Sequence, residues 1–398
     1  MPVLAEEQKL PLRTGILDAL LSEPEKSLRD LFAETFNNIA IHDYPEKWGN
    51  LLPSLLNAIG TPKDFDGSAL RVHNALLALR KLCKRYEYKS REQRGPLNDI
   101  VQLSFPLILP WGQRLSDPTE TSVEAAMMLK QVLKIFWSST QFYLPGFNQQ
   151  QNPIAPWFDI IYSALSKPLA EDIQPKTVEE RNVWPWWKVK KWAIQILSRL
   201  FSRYGMPSYA EEETKAFAQY FANETAPRFL QPIFELLNLR PSGQFCTDRV
   251  LHLCLSYLDL AVELAPTYKV LKPHMEFLLF KVCFPTCCMT DDYVELFESD
   301  PHEFVSRQNN PLTDFYDPKM SAISLIIDLV KHRGQDVITQ LLSFLTNVLQ
   351  SYTPDSSNHR EKDGALFILG SMHGVLIFII AFIMCLKSIF CCHSHELN

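Results

Sequence analysis

The feature that most constrains this chain is the spacing of its apolar residues, which recur at steps of three and four almost from end to end. Ala126, Leu129, Leu133, Phe136 and Thr140 step in this way, as do Leu251, Cys254, Leu258, Ala261 and Ala265. Such steps put side chains on one face of an α-helix. Ile323, Ile326, Ile327 and Val330 form a further row, followed after Gly334 by Val337, Leu341, Phe344, Leu345 and Val348. This last stretch predicts two antiparallel helices joined by a short turn. Helices are expected near 13–22, 25–41, 46–59, 68–89, 96–114, 119–143, 153–167, 183–204, 210–222, 224–239, 245–264, 268–282, 290–298, 301–308, 318–332, 336–351 and 361–390. No alternating, strand-like pattern of convincing length competes with them.

Composition points the same way. Glycine is scarce, 13 of 398 residues, whereas proline is not, at 27. Few glycines argue against the tight turns of a sandwich or barrel and against glycine-rich phosphate loops, and prolines between apolar runs punctuate helices. The hydrophobic share of 46% supplies a large core and excludes general disorder. Helix pairs recur every ~40 to 60 residues, an interval that fits stacked repeats. They are separated by segments holding Pro24, Pro45, Pro62, Pro118, Pro153, Pro241 and Pro354. The expected fold class is therefore all-α, an α-solenoid in which each helix pair buries its apolar face against the next. A compact multi-helix enzyme is the structural alternative.

The net charge of −6, from 39 basic and 45 acidic side chains, excludes a general nucleic-acid binder, which needs a basic excess. A mildly acidic body suits basic protein partners or is an ordinary solvated surface. Nine cysteines are an odd number without regular spacing, and Cys83 and Cys254 fall within helical apolar rows. Reduced thiols and a cytosolic or nuclear setting follow. The opening MPVLAEEQKLPLRTG lacks the basic and apolar blocks of a secretory signal.

A search for catalytic spacing finds no phosphate loop, no dinucleotide fingerprint, no paired-histidine zinc helix and no nucleophile elbow. His42–Asp43 and His302–Glu303 set an imidazole beside a carboxylate, but neighbours in a helix point to different faces. The expectation is a protein that is not an enzyme and needs no cofactor. Cys283, Cys287 and Cys288, and Cys391, Cys392, His393 and His395 near the end, lack the paired spacing of structural zinc, so no metal is expected.

Two charged stretches carry more information. Residues 181–203 hold Arg181, Lys188, Lys190, Lys191, Arg199 and Arg203 among Trp184, Trp186, Trp187 and Trp192, with no acidic residue. This is either a basic-aromatic nucleic-acid surface or a core helix with a basic outer face. The stripe Trp192, Ile196 and Leu200 favours the core helix. The second stretch, DDYVELFESDPHE, holds Asp291, Asp292, Glu295, Glu298, Asp300 and Glu303. It is a receiver for a basic partner or a solvated turn.

At residues 42–56, HDYPEKWGNLLPSLL, a D-[YF]-P-x-x-W entry into an amphipathic helix resembles a motif of the importin-beta (karyopherin-beta) nuclear transport receptors. Pro45 would start that helix, and Trp48 would plug the seam between helix pairs. RKLCKRYEYKSREQRGPL at 80–97, WWKVKKWAIQILSRLFSRYG at 186–205, DDYVELFESDPHEFVSRQ at 291–308 and KDGALFILGSM at 362–372 follow in the family's order. Together they resemble the importin seven/eight branch, with its plant-type members. The resemblance spans about residues 13–372.

It implies a right-handed solenoid of HEAT-type helix pairs that moves between cytoplasm and nucleus through pores of the nuclear envelope. The implied partners are basic cargo such as ribosomal proteins or histones, phenylalanine-glycine nucleoporins on the opposite face, and the GTPase Ran, which in its GTP form displaces cargo. Asp291, Asp292, Glu295 and Glu298 are the candidates for touching a basic ligand. Trp48, Trp187, Trp192, Phe297, Asp300, Pro301 and Gly364 are candidate structural keys between repeats. The family begins with further helix pairs that grip Ran and continues well past KDGALFILGSM, so the resemblance implies truncation at both ends.

The expected organisation is a short N-terminal tail at 1–12, repeats at 13–372 and an apolar, cysteine-rich tail at 373–398. Val375 to Leu386 is uninterrupted apolar sequence, and 374–392 contains only Lys387 as a charge. A membrane span needs about 20 apolar residues, so this segment sits at the margin. A tail anchor, a buried terminal helix and a translated intron all fit. Cys391 and Cys392 beside an apolar helix are candidates for palmitoylation. The alternative function is a helical-repeat scaffold or adaptor tethered to a membrane by this tail.

Overall fold

Each expected helix needs a start, and the side chains that supply one are local. Ser122 Oγ accepts from Ala125 N at 3.2 Å, Thr247 Oγ1 from Val250 N at 3.3 Å, and a Glu25 carboxylate oxygen from Leu28 N at 2.7 Å. Each satisfies a backbone donor that the first helical turn leaves unpaired. In the computed structural model, residues 5–62, 69–144, 152–308, 316–353, 358–375 and 377 are described. Among them every regular element is helical. The chain divides into two compact units, residues 1–221 and 222–398.

In the first unit the helices are α1 (Glu6–Ser22), α2 (Lys26–Asp43), α3 (Leu51–Ile59), α4 (Ala69–Lys84), α5 (Gly95–Leu115), α6 (Val123–Thr140), α7 (Ala155–Ser166), α8 (Val178–Val183), α9 (Pro185–Tyr204) and α10 (Lys215–Tyr220). α1 packs on α2, α3 on α4, α5 on α6 and α7 on α9. Successive pairs then stack in two rows. α2, α4, α6 and α9 touch in turn, as do α3, α5 and α7. Stacked helix pairs that bury their apolar faces against neighbours are the HEAT-type solenoid expected from the periodicity. The core row includes Phe36, Leu76, Leu129, Phe136, Ile194 and Leu197, all buried.

Several boundaries differ from the sequence reading: the expected helix 224–239 is split into Ala226–Arg228 and Leu230–Leu237, the expected helix 268–282 ends as an α-helix at Leu271 and resumes as a π-helical stretch, and two differences near the N-terminus have a clear local cause. Residues 6–12, assigned to a tail, are helical, because Glu6 is drawn to Lys9 and to Arg13 at 2.8 Å each, and Arg13 in turn pairs with Asp43 of α2 at 2.7 Å. Pro45 does not start a helix. It stands in the turn after α2, on a cis peptide bond, and α3 opens only at Leu51. Backbone bonds from Lys47 N and Trp48 N to Asp43 O, 2.7 and 2.8 Å, hold that turn and drop the Trp48 indole inward. α3 closes on Gly60, whose φ of +58° suits glycine, and its carbonyl receives Trp111 Nε1 at 3.0 Å.

In the second unit the helices are α11 (Ala226–Arg228), α12 (Leu230–Leu237), α13 (Asp248–Glu263), α14 (Ala265–Leu271), α15 (Phe284–Cys287), α16 (Asp291–Ser299), α17 (Pro301–Gln308), α18 (Pro318–Ser351) and α19 (His359–Ser371). A π-helical stretch, Phe277–Cys283, leads into α15. α13 lies along α18, and both α15 and α18 touch α19. α18 is broken at Arg333, with φ −137° and ψ 25°, one residue before the expected turn glycine. Its guanidinium donates to Val262 O at 3.1 Å and Glu263 O at 3.2 Å, which satisfies carbonyls at the end of α13.

Candidate interaction surfaces

α16 opens on two acids, which suits the positive end of a helix dipole, and continues with Glu295 and Glu298. Asp291, Glu295 and Glu298 are spaced four and three apart and so share a face. All four carboxylates are exposed. Asp291 forms an ion pair with Arg360 of α19. Among the described residues, Asp292, Glu295 and Glu298 have no cation partner. Exposed charges are individually weak, but a row of one sign raises the local field and the arrival rate of an opposite ligand.

The corner after this row is fixed by Asp300 and Pro301. Asp300 Oδ1 accepts from Glu303 N at 3.0 Å, and Pro301 occupies the first position of α17. Phe297 is 53% exposed and meets Phe304 edge-on, centroids 5.2 Å apart, so it packs across the corner and not deep between repeats. Glu303 is engaged by Arg307 at 2.9 Å and builds no dyad with His302. Asp43 is likewise held by Arg13, not by His42.

The other candidate keys are placed as follows. Trp48 is buried with its ring edge on Phe36 of α2, centroids 5.7 Å apart. Trp187 is buried, and its Nε1 donates to Gln174 Oε1 at 3.2 Å. Trp192 is only half-buried and meets Trp137 of α6 edge-on at 5.7 Å. Gly364 of α19 faces Cys288 so closely that a Cβ there would stand 2.7 Å from its Sγ.

The 181–203 stretch is a core helix with a basic outer face, but two of its cations leave that face. Lys190 is buried, and its Nζ donates to the carbonyls of Leu165 at 2.6 Å, Lys167 at 2.7 Å and Ala164 at 3.3 Å, capping the end of α7. Arg181 pairs with Glu171 at 2.7 Å. Stacking instead adds cations that the stretch does not contain. Arg80 from α4 and Lys130 and Lys134 from α6 stand beside Lys188 and Lys191. Arg80 opens the basic run RKLCKR and Lys130 and Lys134 stand among apolar residues, and only the packing of α4, α6 and α9 gathers them beside Lys188 and Lys191.

Cys283 and Cys287 are buried, and Cys288 Sγ donates to Phe284 O at 3.2 Å. Burial pushes the Cys287 thiol up to about 12 and the Cys288 thiol up to about 11, so neither is a ready thiolate. Among the described residues no group of His, Cys, Asp and Glu is arranged to hold a metal. No single described helix is long and apolar enough to cross a membrane. The apolar segment 374–392 lies almost wholly outside the described residues, as do Cys391, Cys392, His393 and His395.

Comparison with known proteins gives concordant matches. A family model described as Cse1 matches residues 129–374. An importin beta-like SAD2 homolog from Arabidopsis thaliana is 32% identical over 93% of the chain and 35% of its own length. Importin-8 from Mus musculus is 28% identical over 94% of the chain and 36% of its own length. Among solved structures, the exportin Cse1 in its cargo-free, cytoplasmic state superposes with a TM-score of 0.73 at 17% identity, over 93% of this chain and 38% of that one. That likeness establishes the solenoid fold. The chain spans about 35% of the length of the curated relatives it matches.

Proposed function

The chain belongs to the Cse1 family, within the importin-beta (karyopherin) transport receptors, and on that premise we propose that it acts in Ran-dependent import of proteins into the nucleus. The observation that carries this reading is the row Asp291, Asp292, Glu295 and Glu298, an exposed acidic face of which, among the described residues, only Asp291 is neutralised. Its ligand is a basic cargo protein, of the ribosomal-protein or histone kind. Phenylalanine-glycine nucleoporins bind the opposite face and admit the complex to the pore, so the protein works in cytoplasm, nucleus and nuclear envelope. Ran in its GTP form and cargo are two ligands coupled through one stack of repeats, and no side chain performs covalent chemistry. Trp48, Trp187, Trp192, Phe297, Asp300, Pro301 and Gly364 hold neighbouring helices in register, so that strain at one ligand site reaches the other.

The test is retention of the full chain on immobilised histone, followed by elution with Ran loaded with GTP or with GDP. Retention with release by the GTP form alone is expected. No retention, or equal release by both forms, would overturn the reading.

A further inference from the structure

Three consecutive stacked helices of the first unit each carry two cations at helical spacing: Arg80 and Lys84 on α4, Lys130 and Lys134 on α6, Lys188 and Lys191 on α9. Steps of three and four put each pair on one helix face. α4 packs on α6 and α6 on α9, so the pairs lie in adjoining rows. The rows are knitted by aromatic rings. Lys134 Nζ stands 4.9 Å and Lys191 Nζ 4.6 Å from the Trp192 ring centroid, and Arg199 Cζ stands 5.5 Å from that of Trp137.

These charges crowd one another. Burial first, then Arg80, Lys130, Lys191 and Lys84, push the Lys134 amine down to about 7. Burial and then Lys188, Arg80 and Lys26 push Lys130 down to about 8, against a smaller pull from Asp30. Among the described residues, Arg80, Lys84, Lys130, Lys134 and Lys188 have no ion-pair partner. Of the neighbouring carboxylates, Glu34 pairs with Lys81 and buried Glu87 accepts from Trp137, Ser138 and Gln141 while pulling only electrostatically on Arg80; Asp30 gives Lys130 only a pull smaller than the opposing cations exert. Half-buried like charges without counter-ions cost stability, and an anionic ligand relieves that cost.

We propose that the α4–α6–α9 face is a docking surface for an acidic, extended segment of a partner protein. The spacing suits such a ligand. Packed helices lie ~8–10 Å apart, and an extended chain rises ~3.3 Å per residue, so acids at about every third position meet successive rows. Single-stranded nucleic acid fits less well, because base stacking needs bare rings and cations already sit over Trp137 and Trp192. The surface lies within residues 80–199 of the first unit, whereas α16 belongs to the second, and it stands whether or not α16 receives cargo.

The experiment is titration of the full chain with a fluorescent polyglutamate peptide and, in parallel, an oligothymidylate of equal length. The peptide binds, salt weakens it, and the combined Lys130→Gln, Lys134→Gln and Lys188→Gln variant loses about tenfold or more in affinity. Carbodiimide cross-linking of the peptide to the wild-type chain needs no variant and joins its carboxylates to Lys130, Lys134 or Lys188. Absence of peptide binding, cross-links confined to other lysines, or tighter binding of the oligothymidylate would overturn the proposal.

Discussion

Gly364 and Cys288 touch where α19 crosses the residue following α15: a Cβ on the glycine would lie 2.7 Å from the cysteine Sγ, 3.1 Å from its Cα and 3.2 Å from its N. Two of those three atoms are backbone, so the site cannot yield by turning a side chain. Gly364→Ala is expected to cost about 1–3 kcal/mol, the range for overpacking a filled interior. Thermal melting of the full chain measures it. Adding Cys288→Ala recovers only part of the loss, since the backbone contacts remain.

Lys190 caps α7 from inside the first unit through three carbonyl oxygens. Lys190→Met keeps the aliphatic stem and removes the donors, leaving buried acceptors unpaired at a cost of about 3 kcal/mol. Lys191→Met, one position along on the outer face, is expected to cost under about 1 kcal/mol. Urea midpoints of the two variants separate the buried cation from the surface one.

The helices themselves were legible in sequence because apolar residues recur at three and four and few glycines interrupt them. Several starts were not, and two near the N-terminus show why. The rule that proline opens a helix fails at Pro45, where backbone bonds to Asp43 O close a turn first, and α1 begins seven residues early because Glu6 finds Arg13. The acidic row of α16 reads directly from DDYVELFES, since contiguous exposed charge needs no tertiary information. The basic face does not, because Arg80, Lys130 and Lys188 are about fifty residues apart and become neighbours only when pairs stack. In the same way nothing local separates Lys190, which turns inward, from Lys191, which does not.

Asp259 of α13 gives the second unit a distinctive pH response. Burial first, and then Asp328, raise its carboxyl from 3.8 to about 7, while Ser324 Oγ donates to it at 3.2 Å and opposes the rise. In the unfolded chain it titrates near ~4. The stabilisation from the bound proton is full below that value and is lost as pH rises toward 7. Asp259→Asn is expected to leave stability near pH 4 little changed and to raise it at pH 8 by about 2 kcal/mol. Urea denaturation at the two pH values, with wild type alongside, cancels the groups that Asp259 does not touch and reads the response of the Asp259–Asp328 pair.

The most direct measurement of the central claim is fluorescence anisotropy of a labelled lysine-rich histone tail titrated with the full chain and with its Asp292→Lys, Glu295→Lys and Glu298→Lys variant. These three carboxylates are exposed, so the variant keeps its fold. The account predicts saturable binding by wild type and about tenfold or greater weakening in the variant. Equal affinities for the two chains would contradict it.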